Sequence, residues 1–140
     1  MSDSHYLCVS SEDKVVFYPK NHGADFMIEL PKTLELAGEW EVAVLEYKWH
    51  GSVSGVFYIF SDLCTETYMR DSMLPLLRSI LVDKPESREF REYRGTFSVP
   101  YYIPIRNNRI DRFRIWIQNE MMNSPIINPS LYLTLHLRKK

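Results

Sequence analysis

Residues able to do chemistry are present in this sequence, but they are scattered. The four histidines, His5, His22, His50 and His136, lie far apart, and none has a metal-ligand partner at helical or strand spacing. The two cysteines, Cys8 and Cys64, share no ligand spacing with a histidine and are too few for a disulfide framework. Both are flanked by apolar residues, so both are expected as buried free thiols. Glu39 with Glu41, and Asp111 with Glu120, have the residue types for paired acid–base work. Among 18 acidic residues such pairs arise by chance. No Walker loop, dinucleotide fingerprint, HExxH helix, CxxC or nucleophile elbow occurs, and five glycines leave little material for a phosphate-cradling loop. The expectation is a non-enzymatic chain with no catalytic residue, cofactor or metal, one that acts by binding.

The aromatic residues that break the local pattern carry more information. Trp116 falls on the face shared with Arg114 and Gln118, where water is expected, and Trp49 sits beside His50 and Gly51 at a predicted strand end. Tyr101 and Tyr102 near Arg106 give a weaker version of the same signal. Large aromatics outside a core are frequent anchors of protein interfaces. Trp49, Tyr102, Arg114 and Trp116 are therefore the candidate interface residues. The competing reading of Trp116 is that it packs under a loop or the other sheet.

The elements that must position these residues are strands. Leu131, Leu133, Leu135 and Leu137 alternate with Tyr132, Thr134, His136 and Arg138, which buries a leucine row and exposes a polar one. On that polar row His136 is expected to be solvated. Phe113, Ile115 and Ile117 alternate with Arg112, Arg114 and Gln118 in the same way. Further strands are expected at Tyr6–Ser10, Val15–Tyr18, Asp25–Leu30, Glu39–Trp49, Val53–Phe60 and Thr96–Ile105. Within Glu39–Trp49 the apolar phase moves from Trp40, Val42 and Val44 to Leu45, Tyr47 and Trp49, as a β-bulge would make it. Val56–Phe60 is apolar on both faces and predicts a central strand, whereas Pro100 and Pro104 suit an edge or a bulge. Asp71–Leu81 is ambiguous, because Leu74, Leu77 and Leu81 have helical spacing while Pro75 allows at most one short helix near residues 71–81. Turn signals separate the runs, at Pro19–Gly23, Pro31-Lys32, Ala37-Gly38, Arg106–Asn108 and Asn123–Pro125. Short strands with frequent turns predict an all-β, antiparallel β-sandwich or barrel, with residues 1–140 as a single domain.

Composition agrees. Of 140 residues, 45% are apolar, 25% charged and 14% aromatic, the profile of a folded chain with a β bias. Charge is uneven: residues 1–70 hold five Lys/Arg against eleven Asp/Glu, and residues 71–140 hold twelve against seven. Such a split suits complementary surfaces of neighbouring subunits or a basic face for an anionic partner, against the plain alternative of a solvated surface. Nucleic acid is the weakest of these readings, since the basic residues fall among strand signals and form no dense run. The N-terminus has no signal-peptide pattern, and no apolar run approaches the ~20 residues of a membrane span. Synthesis in a reducing cell interior, without membrane association, is the expectation.

Three blocks read together resemble a known family. The first runs from Phe17-Tyr-Pro-Lys-Asn-His through Ala24-Asp-Phe-Met-Ile-Glu-Leu-Pro31 to Leu34-Glu-Leu-Ala-Gly-Glu-Trp-Glu-Val-Ala-Val-Leu-Glu46. The second is Val56-Phe-Tyr-Ile-Phe-Ser-Asp-Leu63 with Leu74-Pro-Leu-Leu-Arg78. The third is Tyr102-Ile-Pro-Ile105, Arg112-Phe-Arg-Ile-Trp-Ile117 and the closing Leu131-Tyr-Leu-Thr-Leu-His-Leu-Arg138. Their order and spacing resemble the minor capsid, penton-type proteins of Polinton/Maverick elements and the related adintoviruses. The Gly-Glu-Trp-Glu-Val-Ala block and Leu76-Leu-Arg78 are the most specific parts. Two departures stand out: Tyr47-Lys-Trp-His50 replaces a Tyr-Pro, and the glycine expected before the Leu-Leu-Arg motif is missing from Thr65–Met73. The resemblance implies a jelly-roll-like sandwich and a virion protein that forms a homo-oligomer, pentameric or trimeric, alongside other capsid proteins. The alternative is a monomeric or trimeric recognition module, a spike, cement or receptor-binding protein that contacts a protein partner. Structural roles are expected for Trp40 in the core and for Arg78, which could pair with Asp62 or another strand-end carboxylate.

Overall fold

The computed structural model describes residues 3–12, 24–51, 56–81, 91–119 and 130–140. Among them the chain forms β1 (Ser4–Ser10), β2 (Asp25–Glu35), β3 (Trp40–Gly51), β4 (Val56–Ser61), β5 (Thr67–Met69), β6 (Ser72–Leu74), β7 (Leu76–Leu81), β8 (Arg91–Thr96), β9 (Ile103–Pro104), β10 (Arg109–Asn119) and β11 (Ser130–Lys139). All strand pairs are antiparallel.

The pairing is nested. β4 pairs with β7, β3 with β8, β2 with β10 and β1 with β11. The chain is thus one long double strand with its apex at β4–β7. Its successive rungs fall into two sheets, sheet A ordered β1-β11-β3-β8 and sheet B ordered β2-β10-β4-β7, with β9 beside β3. This is the eight-stranded double-sheet jelly roll. The short β5–β6 hairpin is an insertion between β4 and β7.

The core lies between the sheets, where the inward phases meet. The leucine row of β11 comes from sheet A, and Phe113, Ile115 and Ile117 come from sheet B; all seven side chains are buried. Register pins the phase change in β3: Thr134 faces Glu46 but Leu135 faces Val44, so Leu45 is the extra residue of a bulge. Inward positions are even before it and odd after it. That swap turns Trp49 into the core, fully buried and stacked on Phe57 at 5.5 Å between centroids. Trp49 is therefore a core residue of the subunit and not an exposed interface anchor. Trp40 is also buried, its indole N–H donating to the Ala37 carbonyl at 3.0 Å. β4 is an inner strand, apolar on both sides.

The ambiguous stretch Asp71–Leu81 is strand, within the limit of at most one short helix: β6 and β7 occupy it, and Pro75 offers its carbonyl to the Ser61 amide at 3.0 Å. Several other local expectations are corrected. Thr96–Ile105 is not one strand. β8 ends at Thr96, and pairing resumes with Ile103–Pro104 beside β3 and Ile105 bridging Cys64, while Pro100, with no N–H to donate, falls in the gap. β8 itself, Arg-Glu-Tyr-Arg-Gly-Thr, has no counterpart among the expected strands. It is held by Tyr47, whose ring lies across Gly95 so closely that a Cβ there would meet it at 2.3 Å. Pro31-Lys32 is no turn but part of a bulge in β2 opposite Asp111. Cys8 is exposed, on the outward phase of β1. Cys64 is buried, and burial pushes its thiol pKa up to about 12. Val15–Tyr18 lies outside the described residues.

Candidate interaction surfaces

The outward phase of sheet B carries a column of aromatic and cationic side chains. Trp116 on β10 stands opposite Phe60 on β4, and the rings stack at 5.6 Å. The Arg114 guanidinium lies 4.5 Å from the Trp116 ring centre, a cation–π contact. Arg114 grips Asp25 of β2 through two bonds, Nε to Oδ1 at 2.8 Å and a terminal nitrogen to Oδ2 at 2.6 Å. That bond raises the Arg114 pKa above its ordinary value, outweighing partial desolvation. Tyr58 continues the column beyond Phe60, with Arg70 over its ring at 5.9 Å. Arg70 is the tip of the β5–β6 hairpin, so the hairpin folds back onto this face. Its outer side presents the cross-strand pair Tyr68 and Met73 to solvent.

Asp62 acts at the end of this ladder. Its Oδ1 accepts the Arg114 backbone amide at 2.9 Å, one rung past the Ile115–Ser61 pair, and so stands in for a missing carbonyl. It does not pair with Arg78. Arg78 sits on the inward phase of β7, opposite Ile59, at the open edge of the sandwich. There its guanidinium is clasped between Phe97 at 3.8 Å and Tyr101 at 3.9 Å, and it donates to the Val99 carbonyl at 3.4 Å. An inward-phased cation at a sheet edge meets rings before it meets a carboxylate, which is why the expected Asp62–Arg78 pair does not form.

The outward phase of sheet A is organised differently. His136 on β11 stacks on Tyr6 of β1 at 4.5 Å, and its Nδ1 shares a 2.8 Å hydrogen bond with the Tyr102 hydroxyl. Arg138 lies over the Tyr102 ring at 3.4 Å and donates from Nε to Glu41 Oε1 at 2.7 Å. Glu41 is nearly covered, its side chain 11% exposed. His136 is thus not the solvated residue that the alternation suggested. Burial lowers its pKa, with the Arg138 charge as the second cause. Farther along this face the bond from Arg94, seconded by Lys48, holds the Glu92 carboxyl below the usual range.

The four candidate interface residues therefore occupy three places. Arg114 and Trp116 are together on sheet B, Tyr102 lies against sheet A, and Trp49 is in the core. Asp25, Tyr6 and Glu41 complete these clusters from strands distant in sequence, and no short-range pattern signals them. Three open clefts among the described residues have volumes of about 210–310 Å³. Among the described residues no group of three His, Cys, Asp or Glu is placed to hold a metal, and no helix is long and apolar enough to cross a membrane.

Double-sheet jelly rolls occur in viral capsid and lectin domains and in cupins. Among solved structures the mavirus penton protein shares this fold with the present chain: the TM-score is 0.63 at 7% identity, covering 98% of this chain and 100% of that one. The likeness is one of fold, and it agrees with the penton-type resemblance of the sequence blocks. Infectious bursal disease virus VP2, as a subviral particle, matches at TM-score 0.34 and 9% identity, this chain spanning 33% of its length. No protein-family model and no curated protein sequence matches.

Proposed function

We propose that this chain is a non-enzymatic structural protein of a virus-like particle, a minor capsid subunit of penton type that self-assembles into a symmetric oligomer. The observation that carries the reading is the fold match with the mavirus penton protein, which covers 98% of this chain and 100% of that one. Agreement with the Gly-Glu-Trp-Glu-Val-Ala and Leu-Leu-Arg blocks supports it. The subunit then resides in the virion, after synthesis inside the host cell, beside other capsid proteins.

Subunits in a ring meet through heterologous surfaces, one patch against a different patch. The Arg114–Trp116 column on sheet B is the patch we assign to one side of that contact. Light scattering and native mass measurement test this: a pentamer of 16.6-kDa subunits near 83 kDa, or a trimer near 50 kDa, is expected at micromolar concentration. Trp116→Ser should dissociate the oligomer and leave the subunit folded, whereas Trp49→Ser should unfold it. A strictly monomeric wild-type protein across salt and pH would sink the assembly reading. It would favour the second one, a recognition module, for which the exposed Tyr68 and Met73 of the hairpin supply an anchor.

A further inference from the structure

The segment 97–102 between β8 and β9 closes the open β7/β8 edge of the sandwich with two grips. Toward sheet B, Phe97 and Tyr101 enclose the Arg78 guanidinium. Toward sheet A, Tyr102 turns the other way, bonds His136 and lies under Arg138. The strap's own outer surface is apolar: Val99 is 69% exposed and Tyr101 60%.

The geometry points to a strap whose grip on sheet A is pH-dependent through His136, while its grip on sheet B is not. The neutral imidazole fits its site. One nitrogen meets the Tyr102 hydroxyl, one face meets Tyr6, and Nε2 is shielded from water with no hydrogen-bond partner among the described residues. In either tautomer, protonation would place a full charge on a ring whose Nε2–H has no acceptor, the costliest kind of buried polar group. The charged and titratable groups facing His136 offer no compensation. Tyr6 comes from β1 and Tyr102 from the strap, and neither brings a carboxylate to the ring. Arg138 on β11 is a like charge. Glu41 on β3 is engaged by Arg138, and Glu46, farther along β3, accepts from the Thr134 hydroxyl. The Arg78 grip consists of the guanidinium, the Phe97 and Tyr101 rings and the Val99 carbonyl, with no histidine or carboxylate in it.

The sign follows. A histidine whose folded pKa lies below its unfolded value of about 6.5 favours the folded arrangement fully above that value and progressively less as pH falls. On acidification the Tyr102 grip should open first, and the strap should swing about Arg78, uncovering Tyr102 and the buried Ala43 of β3 beside His136. The result would be a subunit surface that changes between neutral and mildly acid solution.

Nuclear magnetic resonance on the full chain tests this from about pH 7.5 to about pH 5. The His136 ring should titrate with a midpoint below 6.5, and the strap amides should shift with the same midpoint. Their order parameters should fall from about 0.85 to below about 0.6. His136→Asn, which can still bond Tyr102 but cannot titrate, should keep the strap ordered throughout. Strap order that stays constant while His136 protonates, a His136 midpoint at or above 6.5, or a His136→Asn strap that loosens as much as wild type would each overturn the proposal. If His136→Asn does not fold, the shared or separate midpoints in the wild-type protein decide.

Discussion

The outer faces of the two sheets use the same residue types, an arginine, an acid and aromatic rings, to opposite ends. On sheet B the Arg114–Asp25 pair is open to water, with side chains 45% and 40% exposed, and Trp116 lies half-covered beside it. On sheet A Arg138 rests on the Tyr102 ring and is 45% exposed, but its partner Glu41 is nearly buried at 11%. The difference lies in what covers each face. Among the described residues the strap reaches over the β3 edge of sheet A to His136 through Tyr102, whereas sheet B is met by the short β5–β6 hairpin at one end. A covered ion pair is a structural commitment, since either partner left alone is penalised. An open pair is a surface available to something else.

The sharpest way to break this comparison is to remove the cation on the covered side. Arg138→Met should strand the Glu41 carboxylate beneath Tyr102 and lower stability by about 3 kcal/mol, the low end for a broken buried pair because Arg138 is itself half open. Urea unfolding checks it, and a loss under about 1 kcal/mol would mean that the strap does not isolate Glu41. The matching change on the open side, Arg114→Ala, should lower subunit stability by less than about 1 kcal/mol. On the proposed assembly its effect should appear in the salt dependence and mass of the oligomer, and a large stability loss there would erase the distinction between the faces.

The smallest effect concerns the hairpin on sheet B. Arg70 and Asp71 both have positive φ, 47° and 65°, in the two-residue turn that joins β5 to β6. Such a turn favours glycine, and glycine is the residue missing from Thr65–Met73. Asp71→Gly should relieve the left-handed penalty while losing the Tyr68 hydroxyl bond, for a net gain of about 0.5 kcal/mol. A gain in melting temperature of a few degrees, with no change in the strap, would confine the effect to sheet B's side.

The strands were legible where one face is buried and the other wet. The β10 and β11 rows and the bulge at Leu45 can be read directly, because the pleat makes alternation a local property. Trp49 shows the limit. Its phase after the bulge pointed inward, but its place at a strand end suggested an anchor, and only register against β11 decided between them. β8 was illegible because it has a bare glycine where Tyr47 packs, so its apolar contribution is supplied by another strand.

The sequence alone thus determined that the chain is built of strands and which rows of β10 and β11 face a core, since these follow from period-two sterics, while Pro31-Lys32, Cys8 and Trp49 mark where local pattern misplaced a turn or a face. Its blocks also carried the penton-type resemblance. Tertiary structure decided the rest. The nested pairing of first strand with last, the meeting of Arg78 with Phe97 and Tyr101, and the closure of His136 beneath Tyr102 all join residues many positions apart. Such contacts form only after long loops have closed, and no local pattern records which distant partner the closure brings.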